Sequence, residues 1–238
     1  MDVRLEPLTF EQAVEFFKDK VVLPPREFER LWGEYKNLAF TVSGIAVLDV
    51  LKDIYEALLR AIEDGRTQQE FAQQVNEILE NRGWKGLAPY RLDNIFRTNI
   101  QTAYNVGHYR RLTDPEMLKA RPYWMYDAVN DSRTRPTHRA LDGKVFPADH
   151  PFWDTWYPPN GYRCRCGVIS LSEAEVRRRG LTVEDEIPGM VEPPGQVPRP
   201  LVPDPGFAHN PAKVRWQPDL SGYPEPLRQA LITRAKAR

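Results

Sequence analysis

Residues 126–172 read YDAVNDSRTRPTHRALDGKVFPADHPFWDTWYPPNGYRCRCGVISLS. This stretch contains both cysteines of the chain, Cys164 and Cys166, and two of its four histidines, His138 and His150. Its apolar residues follow neither the helical nor the strand period for long. Such a segment keeps its shape only if a metal ion, a polar network or both hold it. We therefore expect the rest of the fold to be arranged around this stretch.

The composition limits the classes of protein to consider. A chain of 238 residues with 41% hydrophobic residues can build a core without disulfide bonds. Lys and Arg number 33, as do Asp and Glu, so the chain lacks the basic excess of a protein that coats nucleic acid. Any contact with DNA must be local, and Arg91 to Cys166 carry 12 basic against 8 acidic residues. We favour a salt-bridged surface over a DNA-binding face.

The first residues of the chain and its two cysteines indicate the cellular compartment. Residues 1–12, MDVRLEPLTFEQ, lack a basic start followed by an apolar run, and no apolar stretch reaches the length of a membrane span. We expect a protein made and kept in the cytosol, with no membrane contact. Two cysteines are reduced there, which favours metal ligation or burial over a disulfide.

Helical periodicity dominates residues 1–120. Capping boxes at Thr9 and Thr67, and glycines suited to helix ends, set the boundaries. Helices are predicted from Phe10 towards Pro24, over Phe28–Tyr35, over Ile45–Ile62 with an end at Gly65, from Thr67 to Gly83, and from Pro89 towards Leu112. On the last helix Arg97, Asn99 and Gln101 interrupt the apolar pattern. They form either a solvent-facing side or a polar face turned toward the following module.

The pattern changes after Pro122. Short β-prone runs occupy residues 123–129, 144–146 and 167–171, and Ser172 caps a short helix that ends at Gly180. The sequence therefore predicts an α+β fold in which an N-terminal helical region, residues 1–120, precedes a compact, irregular, strand-containing module, residues 121–186.

Residues 187–238 form a predicted extended, proline-rich C-terminal arm. Half of the 22 prolines fall between Pro188 and Pro226, where they block regular pairing, and a short helix is predicted over residues 226–235. We expect the arm to lie outside the globular core. Its apolar residues favour a strap that orders on another subunit over a flexible linker.

Cys164 and Cys166 are candidate metal ligands. Residues two apart in an extended segment point to the same side, whereas a disulfide between them would close a strained ring. His138, with His150 or Asp149, would complete a four-coordinate zinc site. The alternative is a buried thiol pair with no metal. A hairpin at residues 142–143 can fold the chain back, so we expect His138 to lie within a few ångströms of both thiols.

Other polar and aromatic residues have two interpretations each. Arg133 and Arg135 either bind an anion or pair internally, and we favour internal pairing. The aromatic group 152–157 either stacks on bases or fills a core, and we favour the core. Five aspartates could serve a hydrolase but match no hydrolase signature: Asp127, Asp131, Asp142, Asp149 and Asp154. For Asp131 and Asp142 we favour side-chain-to-backbone turns. We assign no catalytic residue and no residue that binds an organic cofactor.

Three segments of this stretch resemble a known family. They are DSRTRPTHRALDG at 131–143, DHPFW at 149–153 and PPNGYRCRC at 158–166. Together they are similar to the phage Mu F-like minor head, or head morphogenesis, proteins of tailed bacteriophages. RTN at 97–99 and GFAHNP at 206–211 are similar to the flanks of that family, so the resemblance covers most of the chain.

The resemblance implies a structural and assembly role in the virion head. It implies association with the portal protein, capsid proteins and the capsid interior, in the host cytoplasm during assembly and then in the virion. Contact with DNA during packaging or ejection is a further implication. The family's His and Cys-x-Cys positions match His138, Cys164 and Cys166, a metal or structural site. No established catalytic activity comes with the family, and the alternative is a metal-dependent, nuclease-like hydrolase.

Overall fold

The computed structural model describes residues 11–31, 33–192 and 197–214, together with Glu225. Its helices lie mostly in the first half and its main sheet in the second. In chain order the elements are α1 (Glu11–Lys18), β1 (Val21–Val22), α2 (Pro25–Glu29), a 3₁₀ helix (Gly33–Leu38), β2 (Ala39–Phe40), α3 (Leu48–Asp64), α4 (Gln68–Asn81), α5 (Pro89–Leu112), α6 (Pro115–Ala120), β3 (Tyr123–Asp127), α7 (Pro136–Ala140), β4 (Val145–Pro147), α8 (Phe152–Trp156), β5 (Gly167–Leu171), α9 (Glu173–Arg179), β6 (Met190–Val191) and β7 (Arg199–Pro200). The predicted α+β class is confirmed.

The long helices have boundaries at the positions that their capping residues predicted. Gly65 has φ of 67° at the end of α3, a left-handed conformation that suits glycine. Thr67 and Glu70 form a capping box at the start of α4, and Pro89 occupies the first turn of α5. The capping box predicted at Thr9 lies outside the described residues. Where the chain is described, no helix combines the length and apolar character needed to cross a bilayer.

Two short helices differ from the prediction. The single helix expected over Phe28–Tyr35 is divided, because α2 ends at Glu29 and a 3₁₀ helix begins at Gly33, a poor helix former. The helix α6 was not predicted. It begins at an Asp-Pro pair, in which the Asp114 carboxylate accepts from the amide N–H groups of Glu116 and Met117, at 3.0 and 3.3 Å.

The apolar sides of α1, α3, α4 and α5 meet in one core. The ring of Phe17 stacks on that of Tyr55, with centroids 5.1 Å apart. The Tyr55 hydroxyl donates to the carbonyl of Phe17 at 2.9 Å. This core fixes α5, the longest helix of the described residues, as the support on which the following module rests.

The module has a three-stranded antiparallel sheet in the order β4-β3-β5. Trp124 lies at its centre, opposite Phe146 on β4 and Ser170 on β5. A second core of mainly aromatic side chains covers one face of this sheet. The strands supply the rings of Trp124, Tyr126 and Phe146 to this core, and α8 adds those of Phe152, Trp153 and Trp156.

The arm is extended, as predicted, but the prediction that it lies outside the core is wrong for the described residues 187–192 and 197–214. Val191 and Leu201 are buried in the aromatic core of the module. Asn210 is 2% exposed, and its side-chain amide donates to the carbonyl of Trp153 at 3.0 Å. Prolines prevent long pairing, yet they leave side chains and single amides free to bind. The helix predicted over residues 226–235 lies outside the described part of the chain.

We expect Asn210→Ala to lower the free energy of unfolding by about 1–3 kcal/mol, since the Trp153 carbonyl would lose its buried donor. Urea unfolding monitored by tryptophan fluorescence measures this change. Asn81→Ala, at the exposed end of α4, is the control and should change stability little. Equal effects of the two variants would show that the arm is not anchored at this point.

Candidate metal centre

His138 and the two cysteines meet at one end of the sheet. β3 leaves the sheet at Asp127, which is paired with Gly167 of β5. The chain then forms α7, which carries His138, before it returns along β4. The cysteines immediately precede β5. The antiparallel topology thus brings α7 and the Cys-x-Cys segment together, although 26 residues separate His138 from Cys164.

The three side chains are at distances that suit a shared ion. Nδ1 of His138 lies 3.8 Å from Sγ of Cys164 and 3.5 Å from Sγ of Cys166. All three potential ligand atoms lie within 4.8 Å of one another. In a tetrahedral zinc site with ordinary Zn–N and Zn–S bonds, nitrogen and sulfur are separated by about 3.6 Å. The predicted proximity is confirmed, and the donor set fits zinc.

The group is shielded from solvent. His138 is 2% exposed and each cysteine 3%. The second ring nitrogen of His138, Nε2, is buried with no hydrogen-bond partner among the described residues. Among the described residues, no fourth His, Cys, Asp or Glu belongs to the group. This part of the chain therefore offers three ligands, and a zinc ion held by them would take a fourth from another donor.

The hydrogen bond between the two thiols shifts their pKa values in opposite directions. The pKa of Cys164 is held well below its usual range, first by a hydrogen bond from Cys166 and then by His138. The pKa of Cys166 is raised, because it donates to Cys164 and because it is buried. The pair thus favours one thiolate, which is the form that binds metals.

Tyr126 and Asn160 line the group. Burial, followed by the charge of the neighbouring cysteines, raises the pKa of Tyr126 well above its usual range, so its hydroxyl stays protonated. That hydroxyl donates to Oδ1 of Asn160 at 2.9 Å. The backbone amide of Asn160 donates to Cys164 in turn. These contacts orient the thiols by hydrogen bonds to the surrounding chain.

A stripe of polar side chains along α5 holds the segment that carries the cysteines. These side chains recur at helical spacing and reach its backbone: Thr98 to the Arg163 amide at 3.2 Å, Gln101 and Asn105 to the Cys166 carbonyl at 3.1 and 3.4 Å, and His108 to the Val168 carbonyl at 2.9 Å. The interpretation of a polar face turned toward the module is confirmed for Gln101. Arg97 and Asn99 instead bond within α5.

His108 gives this contact a pH dependence. Burial, with Arg111 adding to it, lowers the pKa of His108 below its ordinary value of about 6.5. The unfolded chain therefore takes up the proton first as the pH falls. We expect the contribution of neutral His108 to the free energy of unfolding to be complete above pH 6.5. It should be lost as the pH falls through the lowered pKa of His108.

Unfolding free energies measured between pH 7.5 and pH 5 test this expectation. His108→Gln keeps a donor for the Val168 carbonyl but cannot titrate, so the variant should lose less stability over that range than the wild type. Identical pH profiles for the two proteins would contradict the assignment.

Comparison with known proteins identifies the family. The family model described as phage Mu protein F like protein matches residues 52–169, which include His138, Cys164 and Cys166. The chain belongs to the phage Mu protein F like family. The resemblance seen in the sequence is confirmed.

Curated relatives support this family assignment. The chain is 41% identical over 170 residues to the Mu-like prophage FluMu F protein of Haemophilus influenzae, covering 64% of this chain and 41% of that protein. It is 37% identical over 202 residues to the putative capsid assembly protein F of Escherichia phage Mu, covering 76% and 44%. An uncharacterized protein of Methanocaldococcus jannaschii is 29% identical over 119 residues, covering 50% and 17%.

The chain spans less than half the length of these two phage relatives. No solved structure matches it.

In this Mu F-like chain the structure does not bring His150 to the cysteines. Nδ1 of His150 accepts from the amide of Phe152 at 3.1 Å, and Nε2 lies 3.2 Å from the carbonyl of Asp185. Its ring lies against Phe146, with centroids 4.9 Å apart. Asp149, the alternative fourth ligand, is exposed and outside the group. The prediction of His150 as a fourth ligand is wrong because one ring nitrogen contacts the start of α8 and the other the segment between α9 and β6.

The aspartates and arginines of the module pair internally. The Arg165 guanidinium donates to both carboxylate oxygens of Asp131 at 2.6 Å, which holds the pKa of Asp131 well below its usual range. The Asp131 carboxylate also accepts from the Arg133 amide at 2.9 Å, as a turn residue does. The Asp142 carboxylate instead accepts from the amide of Ala128, 14 residues away, at 2.8 Å. The five candidate aspartates all lie outside the His138 group. The favoured interpretation as a local side-chain-to-backbone turn is confirmed for Asp131 and wrong for the Asp142 carboxylate.

The structure also decides how the arginines and the aromatic group 152–157 are used. Seven arginines of the modest basic surplus each lie within 4.0 Å of a carboxylate: Arg97, Arg110, Arg121, Arg133, Arg135, Arg163 and Arg165. The rings of Phe152, Trp153, Trp156 and Tyr157 are at most 2% exposed, so they fill the core and cannot stack on bases. Both favoured interpretations are confirmed for these residues.

The sequence analysis did not identify several residues that surround the cysteines and His138. Tyr126 and Asn160 act through contacts between distant segments, which periodicity does not report. Gly161 had a signal in the dense PPNGYRCRC run. A Cβ there would collide with the Asp204 carboxylate that pairs with Arg135 at 2.7 Å. Only glycine lets the arm approach the cysteine segment at this point.

Proposed function

We propose that the protein is a structural component in the assembly of a Mu-like bacteriophage head, and that it acts by binding portal and capsid proteins. The observation that carries this proposal is the 37% identity over 202 residues to the putative capsid assembly protein F of phage Mu. The buried, internally paired module supports it, because such a module is built to hold a shape. On this account the protein works in the host cytoplasm during assembly and then in the virion head.

Co-expression with the portal and major capsid proteins of the same phage tests the proposal. The whole chain should co-purify with the portal protein, and the complex should persist through size-exclusion chromatography. A portal protein from an unrelated tailed phage is the control. Failure to bind either cognate protein, with the chain folded, would contradict the proposal.

We further propose that His138, Cys164 and Cys166 hold a zinc ion with a structural role. The N–S separations of 3.5 and 3.8 Å and the burial of all three side chains support this. A bound zinc ion would cross-link α7 to the beginning of β5. The chain's own residues supply the rest of the site, since Asn160 and Tyr126 orient the thiols and Gln101 holds the Cys166 carbonyl.

A metal-dependent hydrolase is the second candidate, and the three-ligand set favours it because catalytic zinc sites keep an open position. A DNA cleavage assay with divalent metal ions separates the two functions. The assembly proposal predicts no cleavage above that of His138→Ala. Cleavage by the wild type that His138→Ala abolishes would establish the hydrolase.

A further inference from the structure

A second polar site lies outside the metal centre. A cavity of about 850 Å³ separates the first half of α5, the segment 36–43 and the turn that carries Tyr162 and Arg163, and residues 205–207 of the arm close one side. Its size is that of small-molecule sites, which span about 300–1,000 Å³. None of the predicted metal ligands lines it.

Lys20 is a basic residue in the wall of this cavity, and no described residue supplies a carboxylate partner for it. Among the described residues its ammonium bonds to the carbonyl of Asn37 and lies 4.6 and 6.0 Å from the ring centroids of Phe16 and Phe17. Burial lowers the pKa of Lys20 to about 7. A cation in apolar surroundings is costly unless it is paired. An anion bound in the cavity would supply the missing partner.

Two further polar groups in the cavity wall lack an ionic or hydrogen-bond partner among the described residues. Arg91 bonds through its guanidinium to the carbonyl of Ser43, and no ion pair to a carboxylate joins it within the described ranges. The hydroxyl of Thr41 is shielded from solvent and has no hydrogen-bond partner there. Buried polar groups are normally satisfied, so an unpaired hydroxyl on a cavity wall indicates a ligand or solvent position.

The other charged groups of the wall are already paired. The Lys36 ammonium lies 2.9 Å from the Glu29 carboxylate. The Arg163 guanidinium lies 2.5 Å from the Asp93 carboxylate. The unneutralised charge of the cavity is therefore positive and rests on Lys20 and Arg91. This charge selects an anionic ligand.

Aromatic rings at the mouth of the cavity add a second requirement. Tyr90 is 70% exposed and Tyr162 57%, and both line the cavity. The Tyr162 ring is held at its edge by Phe207, with centroids 5.0 Å apart. Exposed, braced aromatic rings beside cationic groups are the combination that binds bases and phosphates of single-stranded nucleic acid.

We propose that this cavity binds a nucleotide unit, whose phosphate is held by Lys20 and Arg91 and whose base stacks on the exposed tyrosines. The unit is either part of a single strand or a free nucleotide, since both present the same chemistry. A duplex is too wide for a cavity of this size, and its bases are not accessible. The site is distinct from the metal centre, none of whose residues lines the cavity.

Fluorescence anisotropy with the full-length chain tests the proposal. The probes are a labelled ten-nucleotide oligo(dT) strand, the corresponding duplex, and unlabelled dTMP as competitor. We expect the single strand to bind more tightly than the duplex. Competition by dTMP at concentrations comparable to those of strand nucleotides would identify a free nucleotide as ligand, whereas weak competition would identify a strand.

Lys20→Met keeps the apolar stem and removes the charge, and we expect it to weaken strand binding about tenfold and to reduce the salt dependence by about one unit. Arg91→Gln should weaken binding similarly. Lys85→Met, at an exposed position outside the cavity, is the matched control and should change little. Circular dichroism confirms that each variant is folded.

Three results would overturn the proposal. They are absence of saturable binding of the strand and of dTMP, tighter binding of duplex than of strand, and equal affinities of Lys20→Met, Arg91→Gln and Lys85→Met. If Lys20→Met does not fold, Arg91→Gln and Lys85→Met still decide the question.

Discussion

Replacing Cys164 by serine is expected to unfold the central module. If zinc is bound, the coupling of metal binding to folding is worth on the order of 10 kcal/mol. The stability of a whole domain is about 5–15 kcal/mol, so loss of one ligand removes most of it. Urea unfolding and near-ultraviolet circular dichroism of the buried tryptophans measure the effect. Arg165→Gln is the control, since Arg165 lies between the two thiols but pairs with the half-exposed Asp131.

Packed thiols without metal would behave differently. Cys164→Ser would then cost about 1–3 kcal/mol, the penalty for a poorly satisfied buried hydroxyl. A chelator would change neither the wild type nor the variant. A loss of this size with no chelator effect would remove zinc from the account and leave a polar, redox-sensitive cluster.

Trp153→Ala is expected to lower the free energy of unfolding by about 3–5 kcal/mol. The Trp153 ring packs edge-to-face against Phe152 and Trp124, with centroids 4.8 and 5.5 Å apart. Its indole N–H donates to the carbonyl of Pro147 at 3.0 Å. Truncation therefore leaves a large cavity in the aromatic core and removes one of the two hydrogen bonds to the Pro147 carbonyl, which also accepts from the His150 amide.

Trp84→Ala is the control for this experiment, since Trp84 is 36% exposed and should cost far less. Thermal and urea unfolding of both variants give the comparison. A loss below about 1 kcal/mol for Trp153→Ala would show that the aromatic cluster does not hold the module together.

Local signals predicted the helices well. Capping boxes and end glycines are read from neighbouring residues, so Thr67, Gly65 and Pro89 mark real boundaries. The strands of the three-stranded sheet were found in the same way, since the runs near residues 123, 145 and 167 form it, whereas the short pairs β1–β2 and β6–β7 were not predicted. α6 was missed although Asp114 and Pro115 carried a local signal for it.

The candidate site was only partly predictable, because its members come from distant segments. Cys-x-Cys spacing indicated that both thiols share a side. The hairpin predicted at residues 142–143 was wrong, because the residues before it form α7 and β4 pairs with β3 instead. Nothing local distinguished His138 from His150, which lies in the next loop and bonds to its backbone. The choice depends on the path of the chain between β4 and α8, which the sequence pattern does not specify.

The arm shows the limit of reasoning from composition. Its prolines correctly predicted an extended chain, since they cannot donate backbone hydrogen bonds. The burial of Val191, Leu201 and Asn210 depends instead on single contacts to a distant core. Such contacts leave no periodic trace in the sequence.

The zinc content of the purified protein distinguishes a metal centre from a buried thiol pair. Mass spectrometry of the wild type, His138→Ala and His150→Ala, each folded and prepared without added metal, gives zinc per chain. We expect about one zinc ion for the wild type and for His150→Ala, whose ring lies outside the group, and far less for His138→Ala. A folded wild-type protein without metal, or His138→Ala with a full complement, would contradict this expectation.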